Sequence, residues 1–390
     1  MGTENIIIGF DAKRANANRT GLGNYSRFVI DALASADSDI EWAMYIPREK
    51  PNAEYKALLN HKNVSSHLPQ SKIWRTMASL WRTMAIVGDL QKNGVMLFHG
   101  LSNELPIGLS RKGIRGVVTI HDLIFLRYPR FYKLIDRKIY TWKFRRACKY
   151  ADKIVAVSEC TKRDIVKFFG IDPDKIVVIY QGCDSMFSAS IELADCARVK
   201  TTYTLPDKYI ITVGTLEERK NLQSMVEALV YLPADVHLVA VGRATPYTTK
   251  VMQEAGRLGL SSRIHLLHNV AYHDLPALYK LAEVMVYPSY FEGFGIPIIE
   301  AMNVGVPVVA ATGSCLEEAG GPSSLYVSPD DSKALADAIL RILDDSNLAS
   351  KMIADGKEYV RRFSKEKIAE DLLNLYSSLL PRTRSCLKFS

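Results

Sequence analysis

The sequence predicts an α/β protein with two Rossmann-like domains, each built on a doubly wound parallel sheet. Short apolar runs rich in β-branched residues alternate with helical segments along the whole chain, which is typical of parallel sheets covered on both faces. At 390 residues and 48% hydrophobic content, the chain is longer than one core usually organises. A stretch of small and polar residues without strand signals, residues 184–208, separates two halves of the same pattern.

Ten apolar runs are predicted to be buried strands. In chain order they are NIIIGF, WAMYIP, GVMLFHG, GVVTIHD and KIVAVSE in the first half, and YIITVG, VHLVAVG, RIHLLHN, EVMVYPS and GVPVVAA in the second. We expect a first domain over residues 1–190, joined by a C-terminal helix over residues 365–390, and a second domain over residues 205–364. Ligands of open parallel sheets bind outside the carboxyl ends of the strands, so two facing sheets predict an interdomain cleft lined by the residues that follow strands.

Charge and composition limit the partners and the compartment. The formal charge of +8 and the pI near 9.0 indicate an anionic partner, such as nucleic acid, a membrane surface or a phosphorylated substrate. The start of the chain lacks a basic segment followed by a long apolar one, and no apolar run is long enough to cross a bilayer, so we expect a cytoplasmic protein. Six cysteines without C-x-x-C spacing are expected to be reduced thiols rather than disulfides or zinc ligands.

Two basic segments contain interleaved aromatic residues. Residues 71–92 repeat Trp-Arg-Thr-Met at Trp74 and Trp81, and Arg130–Lys149 is dense in lysine, arginine and aromatic side chains. A seven-residue repeat returns to one helical face, so these segments are predicted to be amphipathic helices. Two interpretations stay open: solvated surface helices, or helices that hold the protein peripherally on the inner face of the plasma membrane.

Glycines and charged residues follow the predicted strands at the positions where a ligand would bind. They are Gly21 and Gly23 after the first run, His121 and Asp122 after GVVTI, Gly214–Asn221 after YIITV, Gly242 and Arg243 after LVAV, Val270 after RIHLLHN, and Glu292 and Glu300 after EVMVYPS. Around the two glutamates, the sequence predicts a strand, then a Gly-Phe-Gly turn, and then a helix with a proline in its first turn.

Several of these residues have a plainer interpretation. Gly21-x-Gly23 lacks the full G-x-G-x-x-G and is as consistent with an ordinary turn. His121 alone is equally consistent with a hydrogen-bonded histidine at a strand end. Cations such as Arg219 and Lys220 at a helix start oppose its dipole by about 0.3–1 kcal/mol, which favours a compensating anion. Two D-x-D triplets, at Asp37 and Asp172, precede strands and are predicted to be turns rather than metal sites.

The segment SYFEGFGIPIIEAMNVGVPVVA resembles the E-x7-E signature of the large retaining glycosyltransferase family 4, whose GT-B architecture has two facing Rossmann-like domains. RTGLGNYSRFVIDAL, VVTIHDLIFLRYPRFY, IVAVSECTKRDIVKFFGI and VGTLEERKNLQSMVEAL follow the family order. HDLIFLRYP with GTLEERKN is most similar to the bacterial mannosyltransferase-like branch, which often builds surface polysaccharide. The resemblance implies a metal-independent hexosyltransferase without cofactors, which moves mannose from a nucleotide-diphosphate sugar to a glycan or lipid-linked acceptor. It implies no nucleic-acid partner.

The resemblance also implies roles for individual residues. Arg219 and Lys220 would stabilise the leaving diphosphate, His121 would face the sugar near the reacting carbon, and Glu300 would bind the ribose hydroxyls. Glu292 would hold the sugar ring. The other donor-binding positions that it implies are Gly23, Gly214, Gly242, Arg243, Val270, Gly293, Phe294 and Gly295. Thr215 stands where many members have a second basic residue, and we expect Arg219 to substitute for it.

Three other functions share parts of this pattern. A retaining glycosidase could use Glu292 and Glu300 as acid and nucleophile, but it would not need the cations of GTLEERKN. A dinucleotide oxidoreductase would need a complete glycine fingerprint, which neither half has. A non-catalytic nucleotide-sugar-binding or assembly subunit is the remaining alternative. For the donor, a GDP-sugar is preferred by resemblance and a UDP-sugar is the alternative.

Overall fold

The computed structural model describes residues 6–18 and 21–380. Their contacts form two compact units. The first unit comprises the described residues up to Gly182 together with those from Phe363 onward, and the second unit comprises Cys183–Arg362.

The first unit is built on a seven-stranded sheet. Its strands are β1 (Ile7–Asp11), β2 (Glu41–Tyr45), β3 (Val64–His67), β4 (Leu97–Gly100), β5 (Arg115–Ile120), β6 (Lys153–Ala156) and β7 (Ile176–Val178). They pair in parallel in the order β3-β2-β1-β4-β5-β6-β7. The strand order reverses between β1 and β4, which makes that point the switch point at which ligands of α/β sheets bind.

Helices surround this sheet. They are α1 (Lys13–Ala17), α2 (Gly21–Ala36), α3 (Ala53–Leu58), α4 (Lys72–Thr76), α5 (Ala78–Leu80), α6 (Ile86–Lys92), α7 (Ile124–Arg127), α8 (Leu134–Tyr150) and α9 (Glu159–Phe169), with a π-helical turn at Trp81–Ala85. The segment predicted as one amphipathic helix is interrupted at Met77, whose ψ of 46° is not helical. Trp74 is half-buried, and Trp81 is 0% exposed with its Nε1 donating to Asp89 Oδ2 at 2.7 Å. The prediction of one regular helix is therefore wrong; Trp81 is a core residue, and the half-buried Trp74 packs against the same apolar core.

The second unit has a six-stranded parallel sheet. Its strands are β8 (Tyr209–Val213), β9 (His237–Val241), β10 (Ile264–Leu267), β11 (Val284–Tyr287), β12 (Val308–Ala311) and β13 (Leu325–Val327). The order is β10-β9-β8-β11-β12-β13, so the switch point lies between β8 and β11. All ten predicted runs are strands, and each unit has the predicted Rossmann-like sheet.

The helices of the second unit begin inside the segment predicted to be a linker. They are α10 (Leu193–Thr202), α11 (Leu222–Ala228), α12 (Pro246–Arg257), α13 (Leu275–Lys280), α14 (Ile296–Val304), α15 (Leu316–Gly320), α16 (Ser332–Asp344) and α17 (Ser346–Tyr359). The linker prediction for residues 184–208 is wrong over α10, because Cys196 and Val199 of this helix are buried in the second unit.

The last described helix, α18 (Lys365–Leu379), belongs to the first unit. Its Ile368, Leu372 and Tyr376 join the apolar core beside β1 and β2. The Tyr376 hydroxyl hydrogen-bonds the buried His99 Nδ1 at 2.6 Å, and His99 Nε2 contacts Thr119 Oγ1 at 2.8 Å. Residues 381–390 of the predicted C-terminal helix lie outside the described residues.

Three smaller predictions concern loops, thiols and membrane spans. Both D-x-D triplets are turns, as predicted, since Asp37 and Asp172 each accept from the amide two residues on, at 2.8 and 2.9 Å. The five cysteines within the described ranges are free, and Cys386 lies outside them. Among the described helices, none combines the length and apolar character that a membrane span requires.

Candidate functional site

The residues predicted to bind a ligand in the second unit follow strands on both sides of its switch point. Gly214 follows β8, Gly242 follows β9 and Val270 lies three residues after β10. Gly242 has φ +154°, and a Cβ on it would lie 1.8 Å from the Gly214 carbonyl oxygen, so the loops after β8 and β9 approach as closely as only a glycine allows. Arg243 is exposed beside them.

Arg219 and Lys220 are held in a short 3-10 turn after β8. Asn221 ends this turn in the left-handed conformation with φ +57°. Its side-chain amide donates to the carbonyls of Pro288 at 3.2 Å and Pro329 at 2.7 Å. The turn is thereby fixed to the loop that follows β11.

Glu292, in the loop after β11, receives both cations. Arg219 Nη1 lies 2.6 Å from Glu292 Oε2, and Lys220 Nζ lies 2.7 Å from Oε1. Tyr287, the last residue of β11, donates its hydroxyl to Glu292 Oε1 at 3.2 Å and also contacts Lys220 Nζ. Arg219 makes a further ion pair with Glu217 at 2.7 Å. The structure thus brings together three of the predicted catalytic residues across the switch point.

The charges of this cluster are strongly coupled. Burial raises the pKa of Glu292, but Arg219 and Lys220 outweigh it and hold that pKa at about 2. Burial opposes the charge on Arg219, yet Glu292 and Glu217 raise its pKa. Burial lowers the pKa of Lys220 by more than Glu292 raises it. Two cations facing two carboxylates leave the cluster without net charge.

Glu300 lies in α14 and is 6% exposed. Its Oε2 accepts a hydrogen bond from the Tyr279 hydroxyl at 3.0 Å. Burial raises the pKa of Glu300 to about 7, with Asp184 also raising it and Tyr279 lowering it. A carboxylate with a pKa near neutrality binds hydroxyl donors well only when it is ionised.

The Gly-Phe-Gly segment leads from Glu292 into α14. Gly295 lies directly before the helix, with Pro297 in its first turn. The Cys315 thiol holds this segment by donating to the carbonyls of Glu292 at 3.0 Å and Phe294 at 2.8 Å. The first amides of a helix have no carbonyl partner within it, so the start of α14 favours an anionic or oxygen-rich ligand.

Gly23 and His121 belong to the first unit. A Cβ on Gly23 would lie 1.8 Å from the Asn18 carbonyl oxygen, so this glycine allows α2 to pack against the end of α1. His121 is 7% exposed; its Nε2 donates to the Leu101 carbonyl at 2.9 Å, and its Nδ1 lies 2.9 Å from Gln181 Nε2. Burial lowers the pKa of His121 to about 4, so the ring is neutral at pH 7.

Several residues of the cluster have no counterpart among the sequence predictions. Tyr287 has a usable signal, because it ends a predicted strand at the edge where ligands bind. Tyr279 on α13 and Cys315 beside α15 contact the site only through the tertiary fold. In the described part of the chain, no group of three His, Cys, Asp or Glu side chains could hold a metal ion.

Two family models match the chain. The model described as glycosyl transferases group 1 matches residues 197–359, and the model described as glycosyltransferase family 4 matches residues 19–186. Both of the units therefore resemble the corresponding parts of glycosyltransferases.

Curated relatives match over most of their length. The chain is 29% identical over 374 residues to O-antigen chain mannosyltransferase B of Escherichia coli, covering 92% of this chain and 96% of that protein. It is 28% identical over 339 residues to O-antigen chain mannosyltransferase RfbU of Salmonella typhimurium, covering 84% and 89%.

Solved structures share the fold at lower identity. HepE of Anabaena, in complex with UDP and glucose, has a TM-score of 0.75 at 20% identity, over 96% of this chain and 100% of that chain. Sucrose-phosphate synthase from Thermosynechococcus elongatus has a TM-score of 0.77 at 23% identity, over 96% and 99%. Together with the two sheets, this likeness confirms the predicted GT-B fold of two Rossmann-like domains.

Proposed function

We propose, from the premise that this chain belongs to the family 4 glycosyltransferases, that it transfers mannose from a nucleotide-diphosphate sugar to a glycan or lipid-linked acceptor during surface polysaccharide synthesis. The mannose and the polysaccharide are suggested by the two O-antigen mannosyltransferases to which the chain is similar. The observation that carries the proposal is the pair of half-buried cations, Arg219 and Lys220, at the switch point of the second unit.

In this proposal the donor diphosphate binds Arg219 and Lys220. Arginine matches phosphate oxygens with two parallel N–H groups, and lysine contributes a compact charge. Glu292 pairs with both cations, so diphosphate binding would shift these contacts from the carboxylate to the phosphate oxygens. Glu292 is then free to accept from the sugar hydroxyls, with the backbone of Gly293–Gly295 beside it. Glu300 accepts from the ribose hydroxyls, and Gly214, Gly242, Arg243 and Val270 line the donor.

The reaction breaks the bond between the sugar and the diphosphate, so stabilising charge on the leaving oxygens is the main catalytic task. The fixed cations supply this stabilisation without a metal ion. We propose retention by front-face attack, in which the leaving phosphate takes the proton of the acceptor hydroxyl, and we assign no general base. In the first unit Gly23 would lie against the diphosphate. His121 is proposed to face the sugar as a neutral ring whose orientation Leu101 and Gln181 hold.

The decisive experiment is turnover. Purified protein incubated with GDP-mannose or with UDP-glucose, and with an extract of lipid-linked glycans as acceptor, should release the nucleoside diphosphate and form a labelled glycan. GDP-mannose is the expected donor. Binding of either donor without any release of nucleoside diphosphate would favour the non-catalytic binding subunit instead.

Metal dependence is tested in the same assay. Turnover should continue in excess EDTA after residual divalent ions are removed, because Arg219 and Lys220 carry the positive charge that other transferases obtain from a metal. Strict dependence on added Mg²⁺ or Mn²⁺ would contradict this mechanism.

We further propose that the first unit associates with anionic membranes through α8 and the segment before α6. Exposed apolar side chains on these elements support it: Ile73, Met77, Leu80, Met84, Leu134, Ile135, Ile139 and Trp142. Exposed cations accompany them: Lys133 directly before α8, and Lys138, Arg145 and Lys149 on it. Apolar side chains next to cations are typical of helices that lie in the interface of anionic bilayers. Trp81 takes no part, since it is buried.

Vesicle sedimentation tests the membrane proposal. The protein should sediment with anionic but not neutral vesicles, and less at high salt, because the Debye length falls from about 10 Å at 0.1 M to about 3 Å at 1 M. Leu134→Asp with Ile135→Asp should abolish sedimentation. Leu193→Asp, which changes an 86% exposed leucine of the second unit, should not affect it. Equal, negligible sedimentation with both vesicle types would contradict membrane association.

A further inference from the structure

A pocket in the first unit lies at the switch point of its sheet. Asp11 is the last residue of β1, and Glu104 follows β4. Arg82, from the π-helical turn, joins them, since its Nη2 lies 2.9 Å from Asp11 Oδ2 and 2.7 Å from Glu104 Oε2. Lys143 and Arg146 of α8 also line the pocket. No function assigned above uses these side chains.

The pocket has more positive charge than its carboxylates neutralise. Glu104 accepts from Arg82, from Lys13 at 3.2 Å and from Lys143 at 3.2 Å. Burial raises the pKa of Glu104, but Lys13, Arg82 and Lys143 outweigh it and hold that pKa at about 2. Within the described residues, the hydrogen bond of Arg146 Nη2 goes to a neutral group, the Leu105 carbonyl, at 2.7 Å. Three cations and two carboxylates line the pocket, and Lys13 pairs with Glu104 beside it, so the whole cluster has a net charge of +2.

Two of the arginines also retain unused donors. The Nε atoms of Arg82 and Arg146 are shielded from solvent and have no hydrogen-bond acceptor within the described residues. A buried donor without an acceptor is costly, and such groups in native proteins are often completed by a ligand or an ion. Trp142 lines the same pocket with 59% of its surface exposed, and the Arg146 guanidinium lies 5.6 Å from its ring centroid.

We propose that this pocket binds a phosphate group of the acceptor, with Lys143 and Arg146 pairing with the phosphate and Trp142 packing against the adjoining sugar or lipid. The inference rests on the proposed function, because it names the chemical class of that enzyme's acceptor. A phosphate carries about −1.5 to −2 charges at pH 7, which matches the excess positive charge of the cluster around the pocket. A carboxylate brings one negative charge and a neutral glycan none. The flat arginine fork suits the tetrahedral phosphate oxygens.

The affinity of the full chain for octyl phosphate, measured by calorimetry, tests whether this pocket binds phosphate. Lys143→Gln with Arg146→Gln should weaken binding by about tenfold or more, since two charge-assisted contacts are lost. Lys92→Gln, which removes an exposed charge at the end of α6, should leave it unchanged. Octyl glucoside should bind far more weakly than octyl phosphate. Equal octyl phosphate affinity in the double variant and the wild type, or equal affinity for the two amphiphiles, would overturn the proposal.

Two further measurements separate the possible sources of phosphate binding. Inorganic phosphate that binds as tightly as octyl phosphate would assign the pocket to a phosphorylated sugar, and tighter binding of octyl phosphate would assign it to a lipid phosphate. Lys220→Ala should retain octyl phosphate binding. Loss of binding in Lys220→Ala but not in the double variant would place the phosphate at the donor site and overturn the proposal.

A charge-preserving variant and a nucleotide control complete the test. Arg146→Lys keeps the charge but removes the shielded Nε donor, so it should weaken octyl phosphate binding by about threefold or more even if the double variant fails to fold. Unchanged binding would contradict the role of that donor. GDP or UDP should raise the Tm of the double variant as it does that of the wild type. If neither nucleotide stabilises the wild type, the proposed function fails, whereas the phosphate result stands independently.

Discussion

Lys220 donates to Glu292 and contacts Tyr287 at the carboxyl end of β8, where the proposed diphosphate leaves. Lys220→Ala should lower kcat by about 10²-fold or more, the effect of removing one donor from a site that stabilises an oxyanion. Steady-state kinetics measure it. Lys208→Ala, at the amino end of the same strand, is the matched control and should leave kcat unchanged. A change in KM alone would mean that Lys220 binds the donor without assisting its departure.

The raised pKa of Glu300 predicts that donor binding depends on pH. Its pKa of about 7 means that the carboxylate is protonated in much of the free protein below neutrality, whereas ribose hydroxyls favour the ionised form. Donor binding therefore releases a proton, and affinity should fall as pH falls below 7, by up to about tenfold per pH unit. Nucleotide-diphosphate sugars do not themselves titrate in this range. Calorimetry between pH 5.5 and 8 measures the slope, and Glu300→Gln should bind more weakly with no slope.

The sequence identifies the charged residues of the donor cluster but not the side chains that orient them. Arg219, Lys220 and Glu292 stand in recognisable motifs after strands, so their convergence follows from the rule that parallel strands end at one edge. Tyr279 reaches Glu300 from another helix, 21 positions away. Such a contact depends on how α13 packs against α14, which local patterns do not encode. The partners of His121 were likewise beyond prediction.

At the scale of elements, Gly242 lies where the loop after β9 approaches the loop after β8 most closely. Gly242→Ala would place a methyl group 1.8 Å from the Gly214 carbonyl oxygen, so the loop that carries Arg219 and Lys220 must move. We expect a loss of about 1–3 kcal/mol of stability, as for other strained backbone positions, together with weaker donor binding. Thermal unfolding and donor calorimetry measure the two effects. Gly256→Ala, in α12 with its nearest contact at 3.7 Å, should be neutral or slightly stabilising.

The three strands that the sequence did not predict have the same kind of place in their sheets. β3, β7 and β13 all lie at sheet edges and have three or four residues each. Only one face or part of an edge strand is buried, so its sequence need not be a continuous apolar run. Val64 of β3 is followed by Ser65 and Ser66, which offers no strand signal. The interior strands were predictable because both of their faces are covered, and β10 is the one predicted strand that lies at an edge.

Local composition misled the prediction for two helical segments. Small polar residues around α10 suggested a linker, but two buried side chains suffice to dock a short helix. The Trp-Arg-Thr-Met repeat suggested one regular helix, whereas a break at Met77 and a π-helical turn interrupt it, and of the two tryptophans only Trp81 is fully buried. A heptad argument holds only while the helix stays regular.

At the scale of the whole molecule, the two units place charge at equivalent points of their sheets. In each unit a half-buried carboxylate, Glu104 or Glu292, pairs with cations at the switch point. The second-unit cluster is neutral overall, and in the proposed function the donor diphosphate replaces its internal carboxylate. The first-unit cluster keeps an excess of two positive charges, which suits an acceptor that brings its own phosphate.

The apolar core of the first unit contains side chains of β1 and β2 together with those of α18. Tyr376→Phe in α18 should therefore affect the first unit selectively. The substitution leaves the buried His99 Nδ1 without its 2.6 Å partner, which costs about 1–3 kcal/mol. Hydrogen exchange should accelerate in β1, β4 and β5 while β8, β9 and β11 keep their protection, because separate cores open as separate units. Tyr359→Phe, which removes a 2.8 Å hydrogen bond to the Glu318 carbonyl in the second unit, should give the opposite pattern. Acceleration in both units by either variant would show that the two cores unfold as one.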